Sequence, residues 1–251
     1  FLPGGKEQIA GEYQPGWMLL SYGKKVSVSS SLEGYPAENI VDEDARTAWV
    51  AQSNRDMEWA QVDLQRLSSI HAIQVNFDEY GANQKGAVSG VYQSYLIYAS
   101  VNGEDWSLVV DYGTKKTDTP HDYIEFEEPF KARYIKLQNK GYMVSENFSV
   151  RDLRIFGKGQ GSTPRAVNDF TVERDEADPC KARLCWEAVP DAQGYIVRYG
   201  IAGDKLYNNF QVMGENTLEI GSLNKGVAYY FTIDAYNENG ITRTSRIKVC
   251  R

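Results

Sequence analysis

An all-β chain of two sandwich domains is what this sequence predicts, and three observations carry that reading. Aromatic residues make up 12% of the chain, with 17 Tyr, while 22 Gly and 8 Pro supply frequent turns. Apolar residues alternate with polar ones in short runs instead of recurring at helical spacing, which is the mark of half-buried strands. At 251 residues the chain is long enough for two cores of ordinary size, and GKGQGSTP at 157–164 reads as the Gly/Ser/Pro linker between them.

The elements follow in order. Residues 1–23, FLPGGKEQIAGEYQPGWMLLSYG, are broken by Gly and Pro and lack a sustained period. They read as a connecting arm that packs by Trp17, Met18 and Leu20. A chain that begins at Phe1 is expected to be a fragment or a processed product, so a missing signal peptide says nothing about compartment. In HAIQVNF, Ile73, Val75 and Phe77 face one way and Gln74 and Asn76 the other. In YLIYASVNGEDWSLVV, Ile97, Ala99 and Val101 lead into Asn102-Gly103, and Trp106, Leu108 and Val110 lead away. That is a hairpin signal, because both turn residues tolerate positive φ.

EWAQVDL, DYIEF, ARYIKLQ and VRDLRIFG give further strands. Between them lies a long insertion, DEYGANQKGAVSGVYQSY, with Gly81, Gly86 and Gly90; loops of that length are usually functional or mobile. Beyond the linker, ARLCWEAV, GYIVRYG, YYFTIDAYN and SRIKVC repeat the pattern of strands spaced by turns.

Charge and composition exclude some function classes. The net charge is −7, of which six units of acidic excess lie before residue 161. With no basic run, nucleic acid is not an expected partner, since that affinity comes largely from Lys and Arg on phosphates. No stretch approaches the ~18 consecutive apolar residues of a membrane helix. Only His71 and His121 are available to acid–base chemistry, and GxSxG, HExxH and a glycine-rich phosphate loop are all missing. No catalytic centre is expected. Cys180, Cys185 and Cys250 fit no zinc spacing; they allow one disulfide, Cys180 to Cys250, and equally three free thiols.

PAENIVDEDARTAW (36–49), EWAQVDL (58–64), SVNGEDWSLV (100–109), ARYIKL (132–137) and DLRIFG (152–157) occur in an order that resembles the coagulation factor V/VIII type C, or discoidin-like, family, which includes the family 32 carbohydrate-binding modules. The resemblance covers 24–158 and implies a jelly-roll β-sandwich closed at its ends by ligand-binding loops. Residues 167–251, after a linker at 159–166, resemble a fibronectin type III domain, an immunoglobulin-like β-sandwich, through Trp186 in LCWEAV and through the spacing of Leu223, Tyr229, Phe231, Ile233, Ala235 and Asn237. Tyr229 would then form the corner in which a buried phenol bonds back to the main chain. The stretch from Gly16 to Trp49 also resembles the region that follows the catalytic domain in some bacterial family 43 glycoside hydrolases, which implies an upstream catalytic domain as partner and an extracellular, cell-surface or periplasmic location.

Two candidate sites follow. Asp42, Asp44 and Thr47 lie in one loop and Asp152 opens the last strand of the first domain, and in the resembled family these positions hold a structural Ca²⁺. Glu43 stands where that family has Gly, which matters if the position needs positive φ. The same residues would also make a solvated acidic turn, with Asp152 paired to a nearby arginine. For a glycan, an aromatic face serves the apolar side of a sugar ring and charged or amide groups serve its hydroxyls. Tyr35, Arg55, Tyr80, Asn83, Gln84, Tyr92, Tyr142 and Phe148 fall in loops expected at one end of the sandwich. The alternative is that several of them pack the loops down or meet an upstream partner. Trp49 and Trp59, inside strand motifs, are expected in the core.

Overall fold

The computed structural model describes residues 16–82 and 90–251, and the chain divides into two compact units at Gln160/Gly161. The first unit holds β1 (Met18–Leu19), β2 (Lys25–Val28), a 3-10 turn (Ala37–Val41), β3 (Trp49–Val50), β4 (Trp59–Phe77), β5 (Gln93–Ser100), β6 (Ser107–Tyr112), β7 (His121–Tyr142) and β8 (Ser149–Lys158). They pair antiparallel in the order β1-β8-β4-β7-β5-β6, with β2 also on β4 and β3 also on β8. The last residues of the expected arm are therefore part of this sheet system, because Met18 and Leu19 pair with Gly157 and Phe156.

Four of the runs read from sequence are halves of two long strands. EWAQVDL from Trp59 on and HAIQVNF lie in the 19-residue β4, and DYIEF and ARYIKLQ in the 22-residue β7. The first half of β4 pairs with β2 and the second half of β7, and its second half pairs with β8 and the first half of β7. Both strands thus pass through both layers, and one apolar core fills the space between.

The change of layer is written in the burial pattern. Ala60, Val62 and Leu64 are buried at even positions, then Ile73, Val75 and Phe77 at odd ones. Against β8, Ile70 pairs with Gly157 and Ala72 with Phe156, so His71 is one extra residue on β4. A bulge of one residue moves the buried set to the other face of the strand. The corner before it is set by Gln65 at φ +66°, whose N–H bonds Asp63 Oδ1 at 2.7 Å. Arg133 of β7 clasps the same Asp63 with two bonds of 2.8 and 2.9 Å.

Trp49 is fully buried, with its Nε1 donating to the Ser30 carbonyl at 2.9 Å and its ring edge-on to Phe148 at 5.8 Å. Trp59 departs from expectation. It is half-buried on the outer side of β4, because Ala60, Val62 and Leu64 occupy the inward phase. The hairpin between β5 and β6 also differs from a two-residue turn, since residues 101–106 connect the strands. Gly103 alone of the pair takes positive φ, +83°, while Asn102 Oδ1 accepts the N–H groups of Glu104 and Asp105. Asn102 works as a side-chain turn former here.

The second unit has two sheets. One contains β9 (Phe170–Arg174), β10 (Ala182–Trp186) and β13 (Thr217–Ile220); the other contains β11 (Gly194–Gly200), β12 (Asn208–Met213), β14 (Tyr229–Asn237), β15 (Gly240–Thr242) and β16 (Lys248–Cys250). Trp186 packs edge-on to Tyr195 at 5.1 Å, in a core shared with Leu184, Val197, Phe231 and Ile233. Tyr229 is buried, and its phenol oxygen accepts the N–H of Asn224 at 3.2 Å. All three cysteines are free, Cys250 buried and the other two exposed. Among the described residues no helix is long and apolar enough to cross a membrane.

Trp49 and Trp59 give a direct check. Trp49→Ala should destabilise it by about 3–5 kcal/mol, as a large cavity in a closed core does, whereas Trp59→Ala should cost under about 1.5 kcal/mol. Urea unfolding followed by circular dichroism reads both, and equal losses would contradict the phase assigned to β4.

Candidate functional site

The end of the first unit where β4 begins and β8 begins gathers the connections at 29–36, 51–58, 113–120 and 143–148, with the described residues 78–82 and 90–92 between β4 and β5. Three carboxylates and two amides hold these connections in place. Glu58 accepts hydrogen bonds from the hydroxyls of Ser29, Ser30 and Ser53, the last at 2.7 Å. Asn54 Nδ2 donates to the Ser145 carbonyl at 2.8 Å, and Asn139 Nδ2 donates to the carbonyls of Asn54 and Arg55 at 2.8 and 3.0 Å. Asp78 pairs with Arg151, and Asp56 with Lys140 at 2.7 Å. Sequence reasoning named none of these seven residues. Polar side chains in loops carry no periodic signal until the folded partners are known.

Of the aromatics expected at this end, Tyr35 and Tyr80 meet edge to face with centroids 4.9 Å apart, each half-buried, so two loops share one aromatic corner. Arg55 is exposed on the 51–58 connection. Tyr92 is already engaged, with the Lys116 ammonium 3.8 Å from the centre of its ring. A Cβ on Gly141 would come within 3.1 Å of the same ring. Asn83 and Gln84 lie outside the described residues.

Tyr142 and Phe148 are not surface residues. They are 2% and 1% exposed, and pack edge to face at 5.4 Å beneath the loops. The reason is local. β7 continues as far as Tyr142, and Phe148 is drawn under the 51–53 segment by Ala51 N–H to its carbonyl at 2.8 Å and its own N–H to Ser53 at 2.9 Å. The Tyr142 hydroxyl donates to the Asp78 carbonyl, which also accepts from Ser149 Oγ at 3.0 Å. Burial, foremost, pushes the phenol's pKa up, so it stays a neutral donor. Tyr142 therefore fixes the first residue of the segment that carries Tyr80, and is a positioning group with no access to a ligand.

The expected cation loop, 42–47, lies against β8. Asp42 Oδ1 accepts the Asp44 N–H at 2.9 Å and Asp42 Oδ2 the Thr47 hydroxyl at 2.8 Å. Both oxygens of Asp44 are held by Arg46, at 2.9 and 2.8 Å, which lowers its pKa to about 2. Asp152 is buried and accepts from Asn76 Nδ2 at 2.8 Å. Burial, then the charges of Glu43 and Asp42, raise its pKa against the hydrogen bond from Asn76 and the charge of Arg154. Glu43 has φ +60°, so this position does require the left-handed conformation that glycine adopts most easily. Among the described residues no three His, Cys, Asp or Glu side chains converge to hold a metal. Each carboxylate expected for Ca²⁺ accepts hydrogen bonds in this arrangement: Asp42 from the Asp44 N–H and Thr47, Asp44 from Arg46, and Asp152 from Asn76.

A cavity of about 480 Å³ belongs to the second unit and not to these loops; Phe170, Trp186, Glu187 and Arg165 are among its walls.

The family model for the F5/8 type C domain matches residues 25–152, a little over half of the chain. The chain belongs to the F5/8 type C family. Lactadherin of Rattus norvegicus is 33% identical over 110 residues, covering 41% of this chain and 25% of that protein. Lactadherin of Mus musculus is 32% identical over 110 residues, with 41% and 23% covered. The chain thus spans about a quarter of the length of these curated relatives. Among solved structures, chitosan-binding module 1 from the chitosanase/glucanase of Paenibacillus sp. IK-5 aligns at TM-score 0.47 and 20% identity, over 56% of this chain and 99% of that one. The family 32 module of C. perfringens NanJ, in complex with galactose, aligns at 0.45 and 17%, over 56% and 98%. In this F5/8 type C domain the matched segment runs from the first residue of β2 to Asp152 on β8, and so includes every loop of the end described above.

Glu58 gives the domain a pH dependence with a definite sign. Burial alone would raise its pKa, but the hydroxyls of Ser29, Ser53 and Ser30 and the charge of Arg55 outweigh it, and the pKa is lowered. A carboxylate depressed in the folded state stabilises above its unfolded pKa and loses that contribution as pH falls through the folded one. The 29–36 and 51–58 connections should therefore exchange amide hydrogens faster, after correction for intrinsic rates, as pH drops from 5 toward 3 (about the carboxylate range). Glu58→Gln should remove the pH-sensitive part; a variant with the same pH profile as the parent would contradict the assignment.

Proposed function

We propose that the F5/8 type C domain binds glycan at the loop end, without catalysis, and that the Tyr35–Tyr80 corner is the platform on which a sugar ring rests. The observation that carries the reading is this aromatic pair beside connections that Glu58, Asn54, Asn139 and Asp78 hold at their bases. Half-buried tyrosine rings offer an apolar face at small entropy loss, and neighbouring charged groups read hydroxyls. Arg55 is the exposed donor assigned to that second task. Tyr92 contributes by its hydroxyl and by Lys116, since the lysine occupies one of its faces.

The second unit is read as a fibronectin type III spacer, supported by its two sheets, its buried Trp186 and the Tyr229 corner. Joined to a catalytic domain upstream, the pair would hold a secreted glycoside hydrolase near clustered polysaccharide and raise its effective concentration there. The rival reading, docking on an upstream domain through Trp17, Met18 and the long insertion, is disfavoured at the two arm residues by their placement, while residues 83–89 of the insertion lie outside the described residues. Met18 is buried within its own unit, and Trp17 stacks on His71 at 5.1 Å.

Titration of the full chain against a panel of neutral and acidic oligosaccharides, by calorimetry, tests the proposal. Tyr35→Ala, Tyr80→Ala and Arg55→Ala should each weaken binding about tenfold, the effect of losing ~1.4 kcal/mol, with unchanged melting temperature. Binding that survives all three substitutions, or no binding to any glycan in the panel, would overturn it.

A further inference from the structure

The outer face of β8 and β4 carries an unbroken chain of side-chain hydrogen bonds that begins in the 42–47 loop. Arg154 Nε and Nη2 donate to the two oxygens of Glu43 at 2.9 and 2.8 Å, and Nη1 donates to Gln74 Oε1 at 3.1 Å. Gln74 Nε2 donates to Asn76 Oδ1 at 3.1 Å, and Asn76 Nδ2 to Asp152 at 2.8 Å. The register accounts for the order, because Arg154 lies opposite Gln74 and Asp152 opposite Asn76. Arg154 and Glu43 are 19% and 22% exposed, so water screens their pair only in part.

Glu43 holds a left-handed backbone conformation that a non-glycine residue adopts at a cost, and the two-pronged bond to Arg154 is what it makes from there. Asp152 feels the negative charges of Glu43 and Asp42 and the positive charge of Arg154, and of these carboxylates only Glu43 is bonded to that guanidinium. A divalent ion placed among them would meet the positive charge of Arg154 and would need oxygens that already accept from Arg46, Thr47 and the Asp44 N–H.

We propose that Arg154 is the resident cation of this loop: its guanidinium, gripping Glu43, fastens residues 42–47 to β8 in place of a metal ion. The fork of an arginine matches one carboxylate with fixed geometry, which a lysine or a hydrated ion does not reproduce. The loop of this chain is thereby closed at all calcium concentrations.

The test uses the full chain, with melting followed by calorimetry and loop protection by hydrogen exchange over 42–47, in added calcium chloride and in chelator. The expected result is the same melting temperature and the same protection in both. Arg154→Met should strip protection from the loop and lower the first unit's transition by about 4 °C or more, and Glu43→Gln should move both in the same direction. A melting temperature that rises with calcium and falls with chelator would overturn the proposal, as would an Arg154→Met protein with undiminished loop protection. Should Arg154→Met fail to fold, the calcium and chelator arms on the unsubstituted chain decide by themselves.

Discussion

The first unit depends on one constraint: β4 and β7 must each serve two layers with a single chain of alternating side chains. A strand has two faces, so a residue that points into the core in one layer points out of it in the next unless the count changes. His71 changes the count on β4, and Gln65 with Asp63 and Arg133 turns the corner before it. With that shift in place, Val62 and Val75 meet in one core although they differ in parity. Without it the second half of β4 would present Gln74 and Asn76 to the core and Ile73, Val75 and Phe77 to water.

The loop end inherits its geometry from the same arrangement. β7, freed to run through to Tyr142, delivers a phenol beneath the loops, where it holds the Asp78 carbonyl and so sets where the segment bearing Tyr80 starts. Phe77, Tyr142 and Phe148 form the aromatic floor, and the Tyr35–Tyr80 corner stands above it. Rigidity at the base and exposure at the tip is the division that lets a loop recognise a ligand without a large ordering penalty.

Much of this fold was legible in the sequence because strand alternation is a local signal. Ile73, Val75 and Phe77 could be placed from HAIQVNF alone, and Trp186 and Tyr229 from their neighbours. What escaped was the joining of runs: nothing in EWAQVDL or HAIQVNF says that they are one strand, since the bulge that unites them is a matter of pairing with β8. The misplacement of Trp59 has a different cause, because Ala60, Val62 and Leu64 of its own run take the inward phase and leave it outward. At the loop end, Tyr35, Tyr80 and Arg55 were found by residue type. Tyr142 and Phe148 sit in loop-like sequence; Tyr142 is buried because β7 runs on to it, and Phe148 because the 51–53 segment bonds across it. The acidic loop was visible as chemistry, yet Arg154, which grips it from 111 residues away, was only an outward-facing residue in DLRIFG.

The most direct measurement compares deletion of His71 with His71→Ala, each followed by urea unfolding of the full chain. The substitution keeps the residue count and loses only the stacking on Trp17, so it should cost about 1 kcal/mol. The deletion removes the phase change and should abolish the cooperative transition of the first unit. A deletion variant that unfolds cooperatively, at a midpoint near that of His71→Ala, would contradict the account.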